Sequence, residues 1–133
     1  MGPVGGLVAK ILCVDDEPAQ VSMKQRILAR AGHEVTSCSS AEDAIAKLKE
    51  TSFDAVVTDW RLGDERGRAI VEAAKTYSST PVVVVSGYVS EAFQAAEPLA
   101  DLYLEKPVNP EELIQIVDAL LRSRNRHEAE ASD

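Results

Sequence analysis

The chain alternates between two hydrophobic periodicities, and this alternation restricts its fold more than any other feature. Short runs rich in β-branched residues predict strands, because such side chains fit a pleated, buried surface. These runs lie at Ala9–Val14, Glu34–Cys38, Asp54–Thr58, Val82–Val85 and Asp101–Leu104. Between and after them, apolar residues recur with the spacing of one helix face. The predicted order is therefore strand then helix, repeated five times.

The predicted strands also indicate how the sheet is covered. Val82–Val85 is apolar at every position rather than at alternate ones. Strands of this kind are buried on both faces, as in a parallel sheet with helices on both sides. We therefore predict the α/β class and a single doubly wound (βα)5 domain around a five-stranded parallel sheet.

Residues that favour helix ends occur where the periodicity predicts those ends. Pro18 and Pro110 suit the first position of a helix, where a missing N–H group costs nothing. Ser40 and Asn109 are each followed three residues later by an acidic residue, a pattern typical of a capped N-terminus. Gly32 suits a left-handed residue after a helix.

Length and charge limit the number of domains and the kinds of partner. With 133 residues and a mass of 14.3 kDa, the chain has the length of one domain. We expect a flexible segment over 1–6, a folded domain over 7–122 and a flexible tail over 123–133. The net charge of −8 argues against nucleic acid and anionic membranes as partners. Without a membrane-length apolar run or a signal-peptide pattern, we expect a cytoplasmic protein.

Polar residues follow four of the five predicted strands at their carboxyl ends. They are Asp15 and Asp16 after the first strand, Asp59 after the third, Ser86 after the fourth and Lys106 after the fifth. Ligands of an open parallel sheet bind outside this edge. Two carboxylates 4 Å apart repel by about 4 kcal/mol at an effective dielectric constant near 20, so the site needs a cation.

The chemistry of these groups indicates phosphoryl transfer. Ligands that are all oxygen favour a hard cation such as Mg²⁺, which commonly binds carboxylates together with phosphoryl oxygens. Lys106 offers a positive charge and Ser86 a hydrogen-bond donor to the same phosphoryl group. Asp59, alone at its strand end, is the predicted nucleophile that forms an acyl phosphate.

Cysteines and histidines are expected to stay outside this chemistry. Cys13 and Cys38 fall in predicted strands, which suggests two buried thiols in a reducing compartment rather than a disulfide scaffold. His33 and His127 are single and distant from the carboxylates of the candidate site. We predict that both histidines lie at the surface and bind no metal.

The motifs together resemble the receiver domain of bacterial two-component response regulators. The resemblance covers roughly residues 7–122 and rests on Val14-Asp15-Asp16-Glu17-Pro18, Asp59, Ser86-Gly87 and Tyr103-Leu104-Glu105-Lys106-Pro107. It implies a CheY-like, flavodoxin-like sheet in the strand order 2-1-3-4-5. It also implies a phosphorylation-controlled switch, not an enzyme that turns over an outside product. The phosphoryl donor would be a sensor histidine kinase or a histidine phosphotransfer protein.

The resemblance implies a role for each matching residue. Asp59 would be the phosphoacceptor, and Ser86 and Lys106 would bind the phosphoryl group. The Lys106–Pro107 peptide bond would be cis. Mg²⁺ would be held by the carboxylates of Asp15, Asp16 and Asp59 and by the backbone carbonyl of Arg61.

Further implied roles concern the output of the switch. Tyr103 would turn inward when Ser86 moves toward the phosphoryl group. The side chains of Arg61 and Tyr88 would tune the reaction with water, and we expect them to slow dephosphorylation. A downstream protein would bind the face formed by the fourth helix, fifth strand and fifth helix. We expect the fourth helix to be short and to stop at or before Pro98.

Two other functions stay open on the sequence alone. One is an Mg²⁺-dependent phosphohydrolase with an aspartyl nucleophile, although such enzymes usually carry a second Asp where this chain has Arg61. The other is a receiver-like module that binds partners without phosphorylation. The sequence also leaves open whether the protein forms a homodimer, and whether it is stand-alone or excised from a hybrid histidine kinase.

Overall fold

A computed structural model describes residues 8–59, 66–87 and 100–131. Nine elements occur in these residues: β1 (Lys10–Val14), α1 (Pro18–Arg30), β2 (Glu34–Cys38), α2 (Ala41–Glu50), β3 (Ala55–Asp59), α3 (Arg66–Ser78), β4 (Val82–Ser86), β5 (Leu102–Glu105) and α4 (Pro110–Ala131). Each strand begins and ends within one residue of its predicted bounds. The helix predicted just before Pro98 lies outside the described residues.

The five strands form one parallel sheet in the order β2-β1-β3-β4-β5. This confirms the predicted fold class and strand order. The chain moves outward from β1 to β2 and then crosses back to β3 on the other side of β1. The direction of winding therefore changes between β1 and β3, and a ligand site is expected at the carboxyl ends of these two strands.

Alternate residues of the central strands build two separate hydrophobic layers. Leu12 and Val56 belong to the layer that includes buried residues of α2 and α3. Ile11 and Val57 belong to the layer on the opposite face, with buried residues of α1 and α4. Because both faces are covered, every side chain of β3 and β4 is buried, as the uniformly apolar run Val82–Val85 predicts for β4.

The residues predicted at helix ends make the expected contacts. Ser40 Oγ accepts a hydrogen bond of 3.2 Å from the backbone N–H of Asp43. Asn109 Oδ1 accepts from the N–H groups two and three residues later, at 2.9 and 3.2 Å. Pro18 opens α1, and Gly32 has a φ angle of 99°, a conformation that glycine adopts without strain. These local predictions are confirmed.

The prediction that His33 lies at the surface is wrong. Its side chain is buried, with Nδ1 accepting a hydrogen bond of 3.1 Å from the N–H of Ala9. Its Nε2 lies 3.6 Å from Asp118 Oδ1 on α4. His33 thus lies between the start of the sheet and the last helix. In the sequence, a single polar residue after a helix-ending glycine resembles a loop residue. The pattern therefore does not predict that His33 is buried.

The last helix continues beyond the position at which we expect a tail to begin. The sequence predicts a tail from residue 123, whereas α4 continues to Ala131. Neither Gly nor Pro occurs between Ser123 and Ala131 to interrupt the helix. The domain boundaries and the flexibility of the two ends stay predictions.

None of the helices in the described residues has the length and apolar character that crossing a membrane needs.

Candidate acidic site at the carboxyl edge of the sheet

Three carboxylates meet where the central strands end. One oxygen from each of Asp15, Asp16 and Asp59 lies within 4.8 Å of the others. The register of the sheet explains this, because Val14 pairs with Thr58 and the next residue of each chain segment is acidic. Asp15 is fully buried and Asp59 is 3% exposed, whereas Asp16 is exposed. The fold therefore brings together the three predicted metal-binding carboxylates.

Asp15 is held by one backbone and one side-chain hydrogen bond. Its N–H donates a hydrogen bond of 3.2 Å to the carbonyl of Cys38, at the end of β2. Its Oδ1 accepts one of 3.0 Å from the N–H of Glu17, just before α1 begins. The carboxylate is thereby fixed between a strand end and a helix start, with its second oxygen facing α1.

That second oxygen binds a buried lysine that the sequence analysis missed. Lys24 Nζ lies 2.8 Å from Asp15 Oδ2, and both side chains are 0% exposed. Lys24 follows Val21 by three residues and precedes Leu28 by four, so it occupies the buried face of α1. This position could have predicted the ion pair from the sequence, because a lysine within an apolar helical stripe needs a buried anion.

Asp59 has an ammonium partner of its own. Lys106 Nζ lies 3.1 Å from Asp59 Oδ1, and the lysine side chain is 32% exposed. The backbone N–H of Lys106 donates a hydrogen bond of 3.0 Å to the carbonyl of Ser86. The Lys106–Pro107 peptide bond is cis, as the resemblance implies. Lys106 therefore joins the predicted site, with its charge on the carboxylate expected to react.

The remaining predicted residues are distributed around this centre. Ser86 is 1% exposed at the carboxyl end of β4. Tyr103 lies on β5, where it pairs with Val84 and packs, partly buried, against the hydrophobic layer beneath α2 and α3. Arg61 and Tyr88 lie outside the described residues.

The donor set fits a hard divalent cation. Three carboxylate oxygens so close together are the ligands that Mg²⁺ prefers, and they repel one another without a cation. The nearby thiol of Cys13 does not compete as a ligand, because burial raises its pKa to about 12 and keeps it protonated. Among the described residues, Lys24 and Lys106 contribute two positive charges, so these five groups keep one net negative charge.

An open cleft of about 500 Å³ adjoins the site on the side of α1. It lies between the first turns of α1 and the connection from β5 to α4. The lining residues are Glu17, Gln20, Met23, Lys106, Pro107 and Val108. Because Lys106 also contacts Asp59, a molecule bound in this cleft would lie next to the acidic site.

Comparison with known proteins adds a family and several relatives. The family model of the response regulator receiver domain matches residues 11–118. The transcriptional regulatory protein YvrH of Bacillus subtilis is 34% identical over 117 residues, which cover 86% of this chain and 49% of that protein. The sensor protein GacS of Pseudomonas syringae is 28% identical over 123 residues, covering 86% of this chain and 14% of that protein. The chain spans about half, or less, of the length of these relatives.

A solved structure shows the same fold. A CheY-like response regulator receiver domain protein from Methanospirillum hungatei superposes with a TM-score of 0.82 at 28% sequence identity. The superposition covers 91% of this chain and 99% of that one. The likeness therefore extends over nearly the whole of both chains.

Proposed function

Because the chain belongs to the response regulator receiver domain family of two-component systems, we propose that it is switched by phosphorylation of Asp59. One observation carries the proposal. The carboxylate of Asp59 is almost fully buried, lies within 4.8 Å of Asp15 and Asp16, and has the ammonium of Lys106 at 3.1 Å. A nucleophilic carboxylate, candidate metal ligands and a cation for phosphoryl oxygens thus share one strand edge.

The transfer forms one bond and breaks another. An oxygen of the Asp59 carboxylate attacks the phosphorus of a phosphohistidine, and the imidazole nitrogen leaves as the P–N bond breaks. The Lys106 ammonium pairs with a phosphoryl oxygen, and the Ser86 hydroxyl donates a hydrogen bond to another. When held by Asp15, Asp16, Asp59 and the carbonyl of Arg61, Mg²⁺ would supply the charge that neutralises these oxygens.

The proposed donor is a sensor histidine kinase or a histidine phosphotransfer protein. The cleft beside Lys106 supports this, because it would admit a protein side chain next to the acidic site. A cleft lined by Lys106, which contacts Asp59, suits a donor that must bring phosphorus to an otherwise buried oxygen. The net charge of −8 favours a protein donor over a nucleic acid.

The proposed output is a change in protein–protein contacts. Tyr103 and Ser86 would act as a coupled switch, supported by their positions on the adjacent strands β5 and β4. The downstream protein would bind the face formed by the helix predicted before Pro98, β5 and α4. Arg61 and Tyr88 would slow the attack of water on the acyl phosphate.

Intact-mass measurement tests this function. The protein is incubated with Mg²⁺ and acetyl phosphate, and we expect one phosphoryl adduct per chain. Asp59→Asn should abolish the adduct, and excess EDTA should prevent its formation. Glu72→Gln, which removes an exposed carboxylate from α3, is the matched control and should leave the adduct in place.

The same experiment separates the two alternatives. Release of phosphate over many turnovers, with no adduct, would indicate a phosphohydrolase. Neither an adduct nor phosphate release would indicate a module that binds partners without phosphorylation. An adduct that persists in Asp59→Asn would contradict the assignment of the phosphoacceptor.

A further inference from the structure

A buried cation sits inside the acidic site, and the phosphorylation chemistry proposed above gives it no role. Lys24 Nζ binds Asp15 Oδ2 at 2.8 Å, and neither side chain is exposed to solvent. Lys106, by contrast, is partly exposed and binds the carboxylate expected to react. Among the described residues, the site therefore contains two ammonium groups with different surroundings, and of these two Lys106 is the one placed to meet a phosphoryl group.

The contact changes the charge that a metal ion would meet. The carboxylates of Asp15, Asp16 and Asp59 bring three negative charges, and Lys106 removes one. Lys24 removes a second, which halves the charge left to attract a divalent cation. A metal ion bound to Asp15 would also lie near the Lys24 ammonium, since both contact the same carboxylate. Their repulsion opposes binding in this buried setting.

The same contact stabilises the site without metal. Asp15 is fully buried, and an isolated buried carboxylate is strongly unfavourable. Lys24 supplies the opposite charge from within α1, whether or not a metal ion is present. A protein with this pair needs a divalent cation less for folding than one without it.

We propose that Lys24 is a resident counterion that competes with a divalent cation for Asp15 and thereby sets the affinity of the site for Mg²⁺. The inference rests on the proposed function for the identity of the metal site. It assigns to Lys24 a positioning role that acts through Asp15 and involves no contact with the phosphoryl group.

Calorimetric titration with MgCl₂, without any phosphodonor, measures this affinity directly. In Lys24→Met, which keeps the side-chain bulk and removes the charge, we expect Mg²⁺ to bind about tenfold more tightly or better. Lys24→Arg keeps the charge and should bind Mg²⁺ as the unaltered chain does. The matched control is Lys75→Met, which breaks the 2.6 Å ion pair with Asp101 at the opposite edge of the sheet. It should leave the Mg²⁺ affinity unchanged.

Thermal unfolding provides a second, independent measurement. In EDTA, Lys24→Met should melt below the unaltered chain, because Asp15 is left buried without its partner. Added Mg²⁺ should raise its melting temperature by more than that of the unaltered chain, since tighter binding to the folded state stabilises it further. If Lys24→Met fails to fold, Lys24→Gln keeps a hydrogen-bond donor for Asp15 without the charge and is expected to show the same tighter binding.

The outcomes distinguish this inference from the proposed function. Equal Mg²⁺ affinity in the unaltered chain, Lys24→Met and Lys24→Gln would overturn the inference alone and reduce Lys24 to a structural ion pair. Absence of Mg²⁺ binding in every variant would overturn both. Binding by the Lys24 variants but not by the unaltered chain would support the inference and contradict the proposed role of Mg²⁺.

Discussion

Two of the three carboxylates in the acidic site are buried, and each has an ammonium group within 3.1 Å. Asp16 is the exposed member of the cluster. Its charge is screened by water on one side and faces Asp15 and Asp59 on the other. Asp16 therefore contributes to the acidic site mainly a repulsion that a bound cation would relieve.

We predict that Asp16→Asn raises the stability of the metal-free protein. Removing one of three like charges should increase the free energy of unfolding by about 1 kcal/mol in EDTA. Urea denaturation with and without MgCl₂ measures this, and Mg²⁺ should stabilise the variant less than the unaltered chain. Glu34→Gln, an exposed carboxylate at the amino edge of the sheet, is the control. A loss of stability in Asp16→Asn would argue against repulsion within the cluster.

The buried thiol of Cys13 gives a second prediction. Burial raises the pKa of its thiol from 9.0 to about 12. In the unfolded chain the thiol ionises near pH 9, while in the folded chain it keeps its proton. Its contribution to stability is therefore complete below about pH 9 and is lost as the pH rises toward about 12.

The measurement is urea denaturation at a series of alkaline pH values, with Cys13→Ala for comparison. Above about pH 9, the unaltered chain should lose stability faster than the variant, by on the order of 1 kcal/mol per pH unit. Parallel curves for the two proteins would show that Cys13 ionises equally in the folded and unfolded states.

The helices begin close to the carboxyl edge of the sheet, where their first turns place backbone and side-chain groups near the acidic site. α1 begins at Pro18, two residues after Asp16, and Lys24 on its buried face binds Asp15. α2 begins at Ala41, after the capping residue Ser40, which lies two residues after Cys38. The carbonyl of Cys38 accepts the hydrogen bond from the N–H of Asp15. The starts of these helices therefore help to fix the strand ends that carry the carboxylates, through the Glu17 N–H bond to Asp15 and the Ser40 cap.

Ser40→Ala tests the contribution of one such cap. The substitution removes the acceptor of the 3.2 Å hydrogen bond from the Asp43 N–H, and we expect a loss of about 1 kcal/mol in the free energy of unfolding. Ser39→Ala, at the exposed neighbouring position, is the matched control and should change little. Chemical denaturation followed by circular dichroism measures both. Equal effects of the two substitutions would show that the cap contributes nothing specific.

The elements also show what sequence patterns can predict here and what they cannot. Uniformly apolar strands and helical periodicity predict the parallel sheet because burial on both faces imposes that pattern. The positions of Asp15, Asp59 and Lys106 after predicted strands indicate that they lie in one site, because parallel strands share one carboxyl edge. The strand ends do not predict the pairing of Lys24 with Asp15, whose signal lies instead in the position of Lys24 on the apolar face of α1. The burial of His33 was not predicted, because a polar residue after a helix-ending glycine resembles a loop residue and its partners Ala9 and Asp118 are distant in sequence.

The doubly wound topology of the sheet brings the residues of the acidic site together. The change in winding direction between β1 and β3 sets Asp15 beside Asp59, although 43 positions separate them in the sequence. The two hydrophobic layers share these central strands, so the core and the acidic site depend on the same register. The family assignment agrees with this arrangement, since the family model covers both strands and the later lysine.

We propose that this arrangement makes Asp59 the phosphoacceptor. Borohydride reduces an aspartyl phosphate to homoserine, so treatment after incubation with acetyl phosphate and Mg²⁺ marks the modified residue permanently. Peptide mass mapping then locates the mark. We predict homoserine at position 59 alone, dependent on Mg²⁺. Homoserine at position 15 or 16, or none in a protein that carries a phosphoryl adduct, would contradict the claim.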